Sequence, residues 1–354
     1  TIVASGPTRN LDAVLDLWAD AILKADLPAA EWTLLQDRRK ASERLASERV
    51  TTIADRVQGH VVWGDAHRGR HPSEASIGAL TLEDVRAFHR AAIVPDGALL
   101  LVGGDVSLAE LLPRLEARLG GWKPAGKAPA YDVQPPRAFS AAALYVVDKP
   151  GSAQSVIQAF LPTPGRLAPD HYDFLMGNTI LGGAFTARVN MNLREDKGYT
   201  YGARCAVQHG LGDSVWACSA SVAANVTTPA LVELRKEVEE IVTTRPAEAK
   251  ELSFFQSFRV HSFQTRYETP DELMGELVDL WRYNLPADWM ERYIPSVRAV
   301  TVESANRSLQ QRLRPERVAY LIVGDRKLFE AELPALGLPI IHLDRKGHPL
   351  EATP

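Results

Sequence analysis

ALTLE at residues 79–83 and LLVGGD at residues 100–105 decide the fold, because each stretch occurs twice. The first recurs as AVTVE at 299–303, and the second recurs as YLIVGD at 320–325. Both second copies lie 220 residues after the first. A single offset shared by separate segments is the pattern of an internal repeat. The chain is therefore predicted to contain one structural unit twice.

The repeat extends towards the N-terminus. IADRV at 53–57 lies over LMGEL at 273–277 with the same offset, and the amphipathic stretch after Asn10 lies over the one after Thr228 with an offset of 217. A loop insertion produces a small change of offset such as this one. Counted from the Pro-rich stretch at 134–136, the first copy is predicted to lack roughly 75–80 N-terminal residues.

Helix and strand patterns alternate along both copies. Helices are predicted over 10–25, 31–49, 52–62, 81–92, 107–119, 169–181, 228–243, 249–266, 270–283, 288–297 and 301–313. Strands are predicted over 98–103, 143–148, 155–161, 318–323 and, as a hairpin, over 201–209 and 213–222. This mixture favours an α+β fold of two homologous domains, the first truncated at its N-terminus. Each domain would have helices packed on one face of a largely antiparallel sheet.

The domain boundaries follow from composition. KPAGKAP at 123–129 is rich in proline and glycine, so residues 123–140 are predicted to be a linker. Residues 1–122 then form the incomplete first domain, and residues 141–354 form the complete second domain.

Charge and hydropathy exclude several kinds of partner. The 354 residues include 40 Lys and Arg against 44 Asp and Glu, with a net charge of -4, and no basic run exceeds three residues. No apolar run approaches the about 20 residues of a membrane span. We therefore expect neither a nucleic-acid partner nor a membrane-spanning segment. The N-terminal residues TIVAS are typical of neither an initiator methionine nor a signal peptide, so the start looks processed.

Two side chains of one helix can bind the same metal ion only if they lie on the same face of the helix. The only histidines four residues apart are His67 and His71. Gly69 lies between them and Pro72 follows, which argues against a helix, and Arg70 stands where a glutamate is needed. A loop is the favoured interpretation, and no metal ligand is assigned in this chain.

The two cysteines lie in the predicted hairpin. A two-residue loop at Leu211 and Gly212 places Cys205 opposite Cys218. Facing Cβ atoms are close enough for a disulfide. Two free, buried cysteines are the favoured alternative, because free cysteine commonly packs in protein cores.

The densest polar stretch is GGAFTARVNMNLREDKGYTYG at 182–202. The pattern predicts a helix that starts after the glycine pair and ends at Gly198, and a hairpin whose first strand begins at Tyr201. Phe185, Val189 and Leu193 form its apolar stripe, which leaves the arginines at 188 and 194 off the core. On these residues alone, the stretch is either a solvated helix face or a binding site.

This stretch closely resembles the signature of the second homologous domain in the insulinase/pitrilysin family of zinc metallopeptidases. WGDAH at 63–67, LTLEDV at 80–85 and the repeated Val-Gly-Asp strand ends fit the same family. In that family an arginine, and a tyrosine seven residues later, bind the substrate backbone and support the tetrahedral intermediate. The resemblance implies these roles for Arg194 and Tyr201. It also implies substrate-binding roles for Gly182, Gly183, Phe185 and Arg188.

The resemblance also implies a zinc-bearing partner. The family's metal ligands are an H-x-x-E-H motif and a downstream glutamate, but the 354 residues contain no such motif. Glu43 and Glu48 are the nearest acids for the downstream ligand, and neither fits its position. We therefore expect no zinc in this chain and zinc in the complete enzyme.

Three interpretations of the chain follow from the resemblance. The favoured one is the non-catalytic half of a metalloendopeptidase, inactive alone, which binds an extended peptide and pairs with an H-x-x-E-H half. The second is a catalytically dead structural subunit, like the core proteins of respiratory complexes. The third is a shortened single-chain protease. Large bacterial relatives are often periplasmic, which suggests the periplasm as the location.

Overall fold

The computed structural model describes residues 1–123 and 132–350. Residues 124–131 of the predicted linker lie outside the described residues, and its remainder at 132–140 has no helix or strand. The chain is 54% helical and contains one mixed sheet of six strands. Two units can be distinguished. One comprises 1–44, 72–132 and 267–281, and the other comprises 45–71, 133–266 and 282–354.

The helices occur where the sequence predicts them, except for a short helix at 74–79 that was not predicted. Their bounds are α1 Leu11–Leu23, α2 Ala29–Ala46, α3 Val50–Trp63, α4 Glu74–Ala79, α5 Leu82–Ala92, α6 Leu108–Leu119, α7 His171–Asn178, α8 Arg188–Asn190, α9 Thr227–Glu240, α10 Ala249–Gln264, α11 Pro270–Arg282, α12 Trp289–Ala299 and α13 Val302–Arg312. Two of them continue as π-helical turns, α7 through Thr179–Gly183 and α8 through Met191–Asp196. Such turns are frequent at functional sites.

The larger unit contains the sheet. Its strands are β1 Ala143–Asp148, β2 Gln154–Thr163, β3 Thr200–Gln208, β4 Ser214–Ala223, β5 Ala319–Gly324 and β6 Ile340–Leu343. Their order is β3-β4-β2-β5-β1-β6. The pairs β3/β4, β4/β2 and β2/β5 are antiparallel, whereas β5/β1 and β1/β6 are parallel. The α+β class is confirmed, with a mixed sheet in which antiparallel pairs predominate.

Helices cover both faces of this sheet, which differs from the prediction of one covered face. On one face, α7, α9 and α13 bury residues such as Phe174, Leu231 and Leu309. On the other face, α3 packs Ile53 and Val57 against apolar residues of β2 and β5. The reason lies in the strands, because every residue of β5 is buried. A strand that is apolar on both faces requires a layer on each side.

The smaller unit is helical over its described residues. Arg118 on α6 forms ion pairs with Asp12 and Asp16 on α1, at 3.2 and 2.6 Å. The side chain of Thr81 caps α5 by accepting a hydrogen bond from the backbone N–H of Asp84, and the Asp84 carboxylate accepts from the Thr81 N–H. Reciprocal caps of this kind satisfy two otherwise unpaired helix-end donors.

Residues 98–103 lack the predicted strand structure. Their equivalent in the second copy, β5, is hydrogen-bonded to β1 on one side and to β2 on the other. No partner strand is present among the described residues of the smaller unit, so the expected first sheet is not found there.

One hydrogen-bond pattern occurs in both copies. The Gln36 side-chain amide donates to the carbonyls of Ile77 and Leu80 at 3.0 and 2.8 Å. The Gln256 amide, 220 residues later, donates to the carbonyls of Val297 and Val300 at 2.9 and 3.0 Å. The paired helices α5 and α13 also start and end with this offset. We propose on this basis that the two segments are copies of one unit.

The hairpin has the predicted register. Cys205 pairs with Cys218 and Val207 pairs with Trp216. The two cysteines form a disulfide, so the favoured prediction of free cysteines is wrong. Their facing position on adjacent strands brings the sulfur atoms together. Among the described residues, no helix is both long and apolar enough to cross a bilayer.

Stability should depend on the protonation of one half-buried histidine, His171. Burial, assisted by the charges of His209 and Arg166, lowers the pKa of His171 to about 3. The unfolded chain takes up a proton near pH 6.5, whereas the folded chain does not, so stability falls as the pH drops below 6.5. Lowering the pH from 7 to 4.5 should therefore reduce the unfolding free energy by about 2.7 kcal/mol through this histidine.

Urea unfolding of wild type and His171→Gln at both pH values measures this cost. The wild type should lose about 2–3 kcal/mol more than the variant, because only the wild type carries this histidine. Equal losses would show that His171 does not control the acid response.

Candidate functional site

The 182–202 segment joins three elements of the larger unit. The π-helical turn after α7 ends at Gly183, and α8 with its π-helical extension follows. Gly198 has a positive φ of 67°, which suits glycine and ends this helix. The Tyr199 N–H then donates to the Leu193 carbonyl at 2.8 Å, and β3 begins at Thr200. The segment therefore turns sharply from α8 into the edge strand of the sheet.

Gly182 allows the π-helical turn after α7 to lie directly against β3. A Cβ atom at this position would lie 2.8 Å from both the Cβ and the backbone nitrogen of Cys205. No real side chain tolerates such a distance, so only glycine permits the observed packing. Gly182 thus sets the position of the segment rather than contacting solvent.

We expect Gly182→Ala to lower the unfolding free energy by about 2 kcal/mol, the middle of the range for overpacked cores. Gly202→Ala is the matched control, because its nearest neighbour would be the Asn190 Oδ1 atom at 3.9 Å. The control should change stability by less than about 0.5 kcal/mol. Equal effects of the two changes, measured by denaturant unfolding, would contradict this account.

Phe185 lies outside the helix that was predicted to contain it. α8 begins only at Arg188, so Phe185 precedes it and is 63% exposed. Val189 and Leu193 are fully buried as predicted. The predicted apolar stripe is therefore wrong for Phe185, and this ring is available at the surface.

Arg194 and Phe185 lie together. The Arg194 guanidinium carbon lies 4.4 Å from the centre of the Phe185 ring, which is a cation–π geometry. The Arg194 Nε atom lies 3.4 Å from the carboxylate of Glu195. The Phe185 ring and the Glu195 carboxylate thus hold the guanidinium, and the Arg194 side chain is 34% exposed.

Tyr201 is the most exposed large side chain of the segment. It lies in an irregularity of β3, where the register with β4 shifts between Thr200 and Ala203. The Thr200 hydroxyl accepts a hydrogen bond from the Gly202 N–H at 3.1 Å, which stabilises the bulged backbone. As a result Tyr201 is 93% exposed. No hydrogen bond, ion pair or ring contact joins Tyr201 to Arg194 among the described side chains.

Asn190 was not recognised from the sequence, yet it connects the two sides of the site. Its Nδ2 donates to the Phe185 carbonyl at 2.7 Å, and its Oδ1 accepts from the Ala203 N–H at 2.9 Å. The side chain is almost fully buried. It therefore fixes the backbone before α8 relative to the bulge that carries Tyr201. The signal that the sequence offered was a polar asparagine within a predicted helix.

Arg188 has internal partners, in contrast to Arg194. Its Nε and Nη2 atoms donate to the two carboxylate oxygens of Glu251 at 2.8 and 2.6 Å. It also donates to the carbonyls of Arg245 and Pro246. Burial alone would raise the pKa of Glu251, but hydrogen bonds, first from Arg188, more than offset it and lower that pKa. The Arg188 guanidinium therefore serves the fold, and its implied substrate-binding role stays a prediction, as do the roles of the two glycines.

The residues considered for zinc do not form the family's site. His67 lies in a single 3-10 turn, His67–Gly69, and His71 follows in a segment without helix, as predicted. Glu43 is buried in α2. Lys149, through a hydrogen bond and its charge, and Arg345, through its charge, lower the pKa of Glu48, so this carboxylate is ionised and paired with both. These residues do not fit a catalytic zinc, so no catalytic step through zinc is derived for them.

A profile of the family described as the peptidase M16 inactive domain matches residues 79–253, which include the whole 182–202 segment. Residues 79–253 belong to this M16 peptidase family. This confirms the resemblance to insulinase-type peptidases. No curated protein sequence matches the chain significantly.

Several solved structures share the fold. An M16 inactive domain from Pseudomonas fluorescens has a TM-score of 0.79 and 22% identity, over 89% of this chain and 76% of that chain. The first half of the periplasmic protease PqqL from Escherichia coli has a TM-score of 0.71 and 16% identity, over 93% and 75%. A chain of complex III2 from Candida albicans has a TM-score of 0.71 and 11% identity, over 90% and 76%.

Proposed function

We propose that this chain is the non-catalytic half of an M16 metalloendopeptidase. In this role it closes the proteolytic chamber and binds an extended peptide, and Arg194 and Tyr201 assist hydrolysis at a zinc held by the partner half. One observation carries the proposal. Tyr201 is 93% exposed beside a backbone fixed by buried hydrogen bonds, although burial of a tyrosine would favour stability.

The chemistry of the two side chains suits this role. A guanidinium offers several rigid N–H donors, and a peptide carbonyl can accept two of them. A phenol hydroxyl donates one hydrogen bond to an oxygen on which negative charge develops. Arg194 would orient the peptide backbone, and Tyr201 would stabilise the oxyanion. Phe185 and Asn190 would act as positioning residues, because they hold the guanidinium and the bulge.

The strand that carries Tyr201 also suits an extended ligand. Among the described strands, β3 is at one edge of the sheet and pairs only with β4. Unpaired backbone groups at a sheet edge can accept an added strand. A peptide lying along β3 would pass the exposed Tyr201 ring.

A structural role is the second candidate. It is favoured by the similarity of fold to a chain of complex III2 from Candida albicans, described in a complex with bound Inz-5. A purely structural subunit does not require a largely exposed tyrosine beside a fixed backbone. Location is proposed by similarity to the first half of PqqL, described as a periplasmic protease. The disulfide of this chain suits such an oxidising compartment.

Affinity capture of the tagged chain from the cells that produce it, followed by mass spectrometry, separates the two candidates. The half-enzyme proposal predicts an H-x-x-E-H-bearing chain in a one-to-one complex. Recovery with respiratory subunits and no such chain would favour the structural role and contradict the proposal.

A further inference from the structure

Two histidines and an aspartate meet where the C-terminal turn packs on α3, within the larger unit. His60 lies in the last turn of α3, Asp65 follows two residues after its end, and His348 lies five residues after β6. One ligand atom from each side chain lies within 4.8 Å of the other two. The two imidazole ring centres are 4.6 Å apart. We propose that these three side chains bind a divalent transition-metal ion of the zinc, cobalt or nickel class.

His60 is the strongest single indication. It is only 8% exposed, and its ring makes no hydrogen bond in the described part of the chain. The ring nitrogens of His60 are not closed off from solvent, so an ion can reach them. Imidazole nitrogen is the commonest ligand for metals of this class.

The turn that carries His348 is ordered by Asp344. The Oδ1 atom of Asp344 accepts the N–H groups of Lys346 and His348 at 2.8 and 2.9 Å. Its Oδ2 atom lies 3.4 Å from the His348 Nδ1 atom, which leaves Nε2 as the atom for a metal. A carboxylate behind a histidine ligand in this way fixes the ring and raises its basicity.

Gly347 explains how the turn approaches α3 so closely. It has a positive φ of 93°, and a Cβ atom there would lie 2.8 Å from the Cβ of His60. Any other residue would push the turn, and with it His348, away from His60. The contact therefore depends on glycine at this position.

Size and charge agree with a metal of this class. Zinc bonds of about 2.0–2.2 Å in a tetrahedron place ligand atoms roughly 3.3 Å apart. Asp65 is exposed, and its side chain can close the remaining distance by rotation. The negative charges of Asp65 and Asp344 act on His60 against the positive charges of His348 and Arg137. Three protein ligands leave a fourth position for water.

The site is separate from the proposed peptide site. None of its residues lies in the 182–202 segment or derives from an H-x-x-E-H motif. His60 and His348 are 288 residues apart in the sequence, so the expectation of no metal in this chain could not take their contact into account. A metal here would clamp the C-terminal turn onto α3.

Titration of the metal-free, full-length chain with Co²⁺ tests the proposal, with visible absorption and calorimetry as readouts. Wild type should bind one ion per chain, and its melting temperature should rise when Zn²⁺ is added. His348→Ala should weaken binding at least about tenfold, as should Asp344→Asn, which removes an outer partner. His342→Ala is the matched control, because His342 pairs with Glu330 at 3.4 Å, and it should bind like wild type.

Two results would overturn the proposal. One is the absence of saturable binding to wild type at micromolar metal. The other is an affinity of His348→Ala equal to that of His342→Ala. His348 is exposed, so its removal should leave the fold intact, and circular dichroism of each variant checks this directly.

Discussion

Tyr201→Phe is expected to slow hydrolysis of fluorescently labelled casein about a hundredfold when this chain is combined with its H-x-x-E-H half. That factor corresponds to about 2.7 kcal/mol of transition-state stabilisation. The change removes only a hydroxyl from a ring that is 93% exposed, so the fold loses no contact. The loss should therefore appear in kcat, while the melting temperature stays the same.

Arg194 and Arg204 provide the comparison for this result. Arg194→Ala should mainly raise KM, because the guanidinium is proposed to bind the substrate backbone in the ground state. Arg204→Ala should leave both constants unchanged, since Arg204 is exposed on the same strand but has no proposed role. Unchanged hydrolysis with Tyr201→Phe, or a melting temperature that falls with activity, would show that Tyr201 is structural.

Arg188→Ala is expected to destabilise the chain by about 3 kcal/mol, which makes it the largest stability effect among these changes. The Arg188 side chain is 11% exposed, and its removal takes the donor from two carbonyls and leaves the Glu251 carboxylate with the Glu248 N–H. Denaturant unfolding measures the effect. Arg194→Ala, six residues later, should cost less than about 0.5 kcal/mol because that side chain is more exposed.

A double-mutant cycle separates the ion pair from other losses. If Arg188 acts through Glu251, the double variant Arg188→Ala with Glu251→Ala should lose less unfolding free energy than the two single variants together. Additive losses, or a loss with Arg188→Ala no greater than with Arg194→Ala, would contradict the structural role of Arg188.

Local patterns predicted the local structure well. The helix periodicity located each long helix, and the hairpin arithmetic gave the pairing of Cys205 with Cys218. These features depend on neighbours in the sequence, so composition and spacing carry the information. The same arithmetic could not decide whether the cysteines are bonded, because facing positions allow both states.

Features that depend on distant segments were missed. Residues 98–103 have the composition of β5, but β5 is a strand because β1 and β2 pair with it. α3 was assigned to the first domain, yet it packs on the sheet of the larger unit. Intrinsic strand propensity is weak, so partner strands decide such cases.

The sequence predicted which residues form the site, but not what each of them does. The sequence identified the 182–202 segment and both arginines, but it could not show that Glu251 binds Arg188 while Phe185 contacts Arg194. Glu251 is 63 residues from Arg188, and no spacing rule connects them. Asn190 and the contact of His60 with His348 were missed for the same reason.

The most direct test of the half-enzyme account is a titration of this chain into a fixed amount of its H-x-x-E-H half, with hydrolysis of labelled casein as the readout. The account predicts that each chain alone is nearly inactive, and that activity rises with added chain and saturates at a one-to-one ratio. An H-x-x-E-H half that is fully active alone, and whose activity does not change on addition of this chain, would contradict the account.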